Sequence, residues 1–178
     1  MMRQAVVACC QFQPVFKNVA ASQRRADALV GGLKHGELDF LLLPEMAFTG
    51  YEFESRSDIA AYVEDPVSGT TVEWAQAAAR RLHCYVMVGF PMREESGRFS
   101  NAMCVIGRDG AILHHYRKHF LYETDETWAD PGPSFMSVDL PDYGRVGFGI
   151  CMDLNPHQFT APFNRFEFGH FHARVRQG

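Results

Sequence analysis

An apolar run that stops at a proline and a carboxylate, Leu41-Leu42-Leu43-Pro44-Glu45, constrains the fold of this chain more than any other feature. Leu38–Leu43 is apolar apart from Asp39, as expected of a strand covered on both faces of a sheet. Proline then ends the run, and a glutamate placed directly after a buried strand is expensive unless it is paired or used. The neighbouring segments fit the same plan. Ala5–Phe12 reads as a buried strand stopped by Pro14. Asn18 is placed to cap a helix reaching about Lys34, with Ala26, Leu29, Val30 and Leu33 on one face and Gly36 after its end. Ser68 is a candidate cap for a second helix, where Val72, Ala75, Ala79 and Leu82 repeat at helical spacing.

After that helix the pattern turns to strands. Cys84–Phe90 is a strand closed by Pro91. Phe99–Ile106 and Ala111–Tyr116 flank Arg108-Asp109-Gly110 as a hairpin, and Phe135–Leu140 and Arg145–Ile150 form another around Pro141–Gly144. Strand–helix–strand followed by hairpins predicts a mixed α/β sheet. No repeat or linker divides the chain, so one domain is expected over residues 1–168, with a divergent tail over 169–178 that shows neither helical nor strand periodicity.

Composition narrows the function. A chain of 178 residues with 47% hydrophobic content suits one globular core, and a formal net charge of −4 argues against a nucleic-acid partner. The five cysteines are odd in number and lack a CxxC pair, which points to a reducing compartment rather than a disulfide framework. The N-terminal apolar stretch is too short for a signal peptide, and no run approaches the roughly 20 residues of a membrane span. Cytoplasm or nucleus is the expected location, with no membrane partner.

Three reactive residues stand at strand ends: Glu45, Lys118 after Tyr116-Arg117, and Cys151 after Val146–Ile150. A base, a cation and a sulfur nucleophile together suffice to open a carbon–nitrogen bond through a covalent intermediate. Gly147 and Gly149 allow the bend that pushes the thiol out of the sheet edge, leaving the Met152 N–H for an oxyanion. A buried lysine beside the sulfur favours thiolate. Glu126, in the acidic loop Glu123-Thr124-Asp125-Glu126, is placed to orient the lysine or the substrate amide. Taken singly, each residue has an ordinary reading as a core cysteine or a solvated charge.

Gln11–Pro14, Leu43-Pro44-Glu45, Tyr116-Arg117-Lys118 and Gly149–Asp153 resemble the carbon–nitrogen hydrolase (nitrilase) superfamily. The resemblance implies an αββα four-layer sandwich, here incomplete at the C-terminus. It also implies a Glu–Lys–Cys catalytic set at Glu45, Lys118 and Cys151, with a second glutamate at Glu126, and no metal or organic cofactor. A narrower likeness, in Pro44–Tyr51, Lys118–Glu126 and Cys151–Pro156, is to the fungal-type protein N-terminal amidases; Asn155 stands where many superfamily members carry arginine. That likeness implies deamidation of N-terminal Asn and Gln on proteins or peptides, within an N-degron pathway. Its substrates carry a free α-ammonium, which requires a carboxylate; Asp153 and Glu123 are the candidates.

Two alternatives remain open at this point: a small-molecule amidase or nitrilase of the same superfamily, and a non-catalytic truncated fragment. Self-association through an unpaired sheet edge is a further expectation. The histidines suggest no metal site, since no HExxH occurs and adjacent His114-His115 point to opposite strand faces.

Overall fold

The computed structural model describes residues 4–154 and 165–175. Five strands form one mixed sheet in sequence order: β1 (Val7–Cys9), β2 (Phe40–Leu42), β3 (Tyr85–Arg93), β4 (Phe99–Ile106) and β5 (Ile112–Arg117). The β1, β2 and β3 pairings are parallel, while β3–β4 and β4–β5 are antiparallel. A separate hairpin of β6 (Met136–Leu140) and β7 (Gly144–Phe148) makes a second sheet.

Helix α1 (Val19–Val30) begins as its sequence directs, with the Asn18 side chain accepting from the Ala21 N–H. It ends at Gly31 rather than near Lys34, and Leu29 is exposed although its spacing suggested burial. After a four-residue α2 (Arg56–Ile59), α3 (Thr70–Leu82) buries Val72, Ala75, Ala79 and Leu82 on one face. Its N-cap is Gly69, one residue past the expected Ser68.

Helices α1 and α3 cover one face of the large sheet, where Ala26, Val30, Val72, Ala75, Val86, Val88 and Cys104 share a core. The opposite face packs Phe40, Tyr85, Met87 and Val105 against Val138, Leu140 and Phe148 of the hairpin. Arg108 ties these two layers together. It pairs with Asp39 and Asp142 at 3.0 Å each, and its guanidinium lies 5.1 Å from the Tyr85 ring centroid.

The fourth layer is α4 (Glu167–Val175), whose Phe168 and Phe171 pack on Phe120, Phe135 and Met152. It occupies residues for which no periodicity was expected. Phe168, Phe171 and Val175 have helical spacing, but they straddle the boundary drawn at 168. A Cβ on Gly149 would fall 2.6 Å from the Phe168 ring, so that close approach requires glycine.

Two strand expectations also change. β3 runs through Pro91 to Arg93, because β2 accompanies it only as far as Met87 and the ladder there needs no proline N–H. β1 is short and half open: Val6 and Val7 are 54% and 50% exposed. Val7 borders an apolar groove of about 500 Å³ with Phe40, Met87, Met103, Tyr143 and Val146. Among the described residues no helix is long and apolar enough to cross a membrane. Asn155, Pro156 and His157 lie outside the described residues.

Candidate active site

Glu45 follows β2 on a segment held against the middle of β3. Leu43 donates to the Met87 carbonyl at 2.9 Å, Gly89 donates to the Pro44 carbonyl at 3.2 Å, and Ala47 donates to the Gly89 carbonyl at 2.9 Å. Lys118 follows β5, its N–H donating to the Asn101 carbonyl of β4 at 2.8 Å. Cys151 opens a 3-10 turn, Cys151–Leu154, just past β7. Met46 and Cys151 both have positive φ, at 49° and 44°, so the backbone bends under strain just after Glu45 and at Cys151 itself. Glu45, Cys151, Leu43, Gly89, Met103 and Ile150 line one cavity of about 300 Å³.

Behind Glu45, the fully buried Lys118 donates to Glu45 Oε1 at 2.7 Å and to Asp125 Oδ2 at 2.5 Å. Burial alone would lower the lysine, but the two carboxylates outweigh it and hold the ammonium charged, above the usual lysine range. Burial pushes Glu45 up from its ordinary value, against the pull of Lys118 and Asn101. A carboxylate with a raised affinity for protons, in one cavity with a thiol, is suited to shuttling a proton.

The Cys151 thiol also moves up, not down. Burial is the largest cause and the Glu45 carboxylate the next, while Lys118 pulls the other way and loses. The expected lysine-favoured thiolate is therefore corrected: two carboxylates already neutralise that cation, and the resting sulfur keeps its proton.

Asp125, not Glu126, partners the lysine. The short 3-10 turn Asp125–Thr127 points successive side chains in different directions, so Asp125 is fully buried while Glu126 and Glu123 face solvent. Asp153 does not read an amine. Its Oδ1 accepts from His119 N–H and Phe120 N–H at 3.2 and 2.8 Å, and its Oδ2 from Tyr116 O–H and Ile150 N–H at 2.6 and 2.9 Å. A carboxylate with four donors on its two oxygens is a structural tie. The Met152 side chain belongs to the Phe120–Phe135 cluster, which leaves its backbone N–H, in the first turn of the 3-10 segment, as the group able to serve the site.

Asn101 went unnoticed in the sequence. Its Nδ2 donates to Glu45 Oε1 at 2.6 Å and to Asp125 Oδ1 at 2.9 Å. The available signal was Ser100-Asn101, a polar pair in an otherwise apolar buried strand where asparagine is disfavoured. Among the described residues, no cluster of three or more His, Cys, Asp or Glu is arranged to hold a metal ion.

The chain is 34% identical over 176 residues to the protein N-terminal amidase of Schizosaccharomyces pombe, covering 93% of this chain and 61% of that protein. Two crystal structures of N-terminal amidase, one with an Asn-Glu peptide and one with a Gln-Val peptide, each superpose with a TM-score of 0.84 at 29% identity. Each covers 97% of this chain and 45% of the solved one, so the chain spans about half the length of these relatives. The carbon-nitrogen hydrolase family model matches residues 6–161. With its mixed sheet, its helical layers, a Glu and a Cys lining one cavity and a buried Lys bonded to that Glu, the chain belongs to the carbon–nitrogen hydrolase family.

Proposed function

We propose that this site hydrolyses the side-chain carboxamide of an N-terminal Asn or Gln to Asp or Glu, with release of ammonia. The observation that carries the reading is the Glu45 carboxylate, hydrogen-bonded to the buried Lys118 and lining one cavity with Cys151. The likeness to N-terminal amidases, including those solved with Asn- and Gln-initiated peptides, supports the substrate class.

Glu45 takes the thiol proton as Cys151 Sγ bonds to the carboxamide carbon. Lys118 has three N–H groups with two committed to carboxylates, so the third is free to meet the oxyanion with the Met152 N–H. As the tetrahedral adduct collapses, the carbon–nitrogen bond breaks and Glu45 returns its proton to the departing ammonia, leaving a thioester. Glu45 then takes a proton from water while the oxygen attacks. The thiolate leaves, recovers that proton, and the carboxylic acid product departs.

The same reading places the enzyme in an N-degron pathway in the cytoplasm or nucleus, with protein and peptide N-termini as its partners. It leaves the open β1 edge and its apolar groove as the surface for self-association. The test is ammonia release from Asn- and Gln-initiated peptides, against their N-acetylated forms, free asparagine and aliphatic nitriles. Turnover confined to the free-amine peptides is the expected result. Equal turnover of acetylated peptides makes it a general amidase, and no turnover by the purified chain makes it a non-catalytic fragment.

A further inference from the structure

We infer that Asn101 is a positioning residue that gives the two oxygens of Glu45 different tasks, reserving one of them for the travelling proton; this rests on the amidase reading above. Lys118 and Asn101 both donate to the same atom, Glu45 Oε1, at 2.7 and 2.6 Å. Two charge-assisted donors on one oxygen anchor it and lower its proton affinity relative to its twin. Oε2 is then the oxygen left to accept the thiol proton and hand it to the departing ammonia.

The asparagine is committed to this arrangement at a cost. Its Nδ2 spends both hydrogens on carboxylates, the second going to Asp125 Oδ1 at 2.9 Å. Its own carbonyl oxygen is left buried without a hydrogen-bond partner among the described residues. Turning the amide over would press that oxygen against two carboxylate oxygens, so the orientation follows from the neighbours' charge. An orphaned buried acceptor is rare and calls for a reason, and here the reason is the pair of donors aimed at the base. The same residue also fixes the cation, since its backbone carbonyl accepts the Lys118 N–H. Asn101 thus touches base, lysine and Asp125, and no direct contact with substrate is needed for its role.

The test uses the full chain. Carbon-13 NMR follows the Glu45 carboxyl, assigned by its absence in Glu45→Gln, through a pH titration of wild type and Asn101→Leu. Removing the donor should move the Glu45 midpoint upward and carry the acid limb of the kcat/KM profile with it. On Asn-initiated peptide, kcat should fall on the order of 10- to 100-fold with KM little changed, as expected for losing a hydrogen bond to a charged group. Asn101→Ser, which keeps one hydroxyl donor, should show a smaller upward shift and serves if the leucine variant does not fold. In wild type itself, both Asn101 side-chain N–H protons should shift with the Glu45 midpoint. Side-chain protons that ignore that titration, or a folded variant with the wild-type midpoint, overturn the inference. Because the NMR readouts need no substrate, an inactive wild type would sink the amidase reading while still deciding the role of Asn101.

Discussion

Gly89 and Glu45 are in backbone contact: a Cβ on Gly89 would fall 2.7 Å from the Glu45 Cα and 2.8 Å from the Pro44 carbonyl oxygen. Only a residue with no side chain lets β3 approach the segment that carries the base so closely. Gly89→Ala should therefore push Glu45 away from Cys151. The expected overpacking cost is about 1–3 kcal/mol of stability. The expected loss in kcat is on the order of 100-fold, because small misplacements of a catalytic group are expensive. Thermal melts and deamidation kinetics on the purified variant measure both, and a variant with wild-type kcat refutes the contact's importance.

A second prediction concerns the thiol. Burial and then the Glu45 carboxylate hold the Cys151 proton on, while Lys118 opposes them. Glu45→Gln removes the negative charge and leaves the cation, so the thiolate fraction at neutral pH should rise. Alkylation of Cys151 by iodoacetamide should become several-fold faster in that variant even as deamidation stops. Slower or unchanged alkylation would mean that the carboxylate does not restrain the sulfur. Cys151→Ser and Cys151→Ala should each abolish turnover.

Acid stability supplies a third. Burial opposes ionisation of Glu94, but Ser100, Arg117 and Arg98 outweigh it and bring its pKa down from 4.5 to about 2. Arg117, directly before Lys118 in sequence, donates to it at 2.6 Å. A folded-state value below the unfolded one means that the contribution is complete above about 4.5 and is lost as pH falls towards about 2. Across that window wild type should lose melting temperature more steeply than Glu94→Gln. Parallel curves for the two proteins would remove Glu94 from the account.

Asp153 carries a fourth. Asp153→Asn keeps the shape but weakens four hydrogen bonds, among them that of the Tyr116 hydroxyl. A loss of at least about 2 kcal/mol in stability is expected for a buried, charge-assisted set. Any drop in activity should be equal for substrates of different N-terminal charge. A defect confined to substrates with a free amine would restore Asp153 as the amine reader.

Glu45, Lys118 and Cys151 stood out because each ends an apolar or strand-like run, and a reactive group at a strand end is visible in one dimension. The α3 face was legible because Val72, Ala75, Ala79 and Leu82 obey one period. Asp125 and Asn101 were not. The choice between Asp125 and Glu126 depends on the direction of a single 3-10 turn, to which spacing from Lys118 is blind. Asn101 matters only through partners 56 and 24 residues away, a relation that folding alone creates. The expected thiolate failed for a related reason: Lys118 was visible, but the second carboxylate that neutralises it was not.

The four donors on Asp153 come from both sides of the site, three from the chain around Lys118 (Tyr116, His119 and Phe120) and one from the residue just before Cys151. Mechanically, the ammonium and the sulfur are therefore one part. If the turn that presents the sulfur swings open, the segment beyond β5 loses its tether, and the reverse holds as well. Hydrogen exchange at the Phe120 and Ile150 amides should accordingly keep a common rhythm. The molecule would then alternate between an armed state and a disarmed one, with no lasting population in which the nucleophile is cocked and its cation has drifted away.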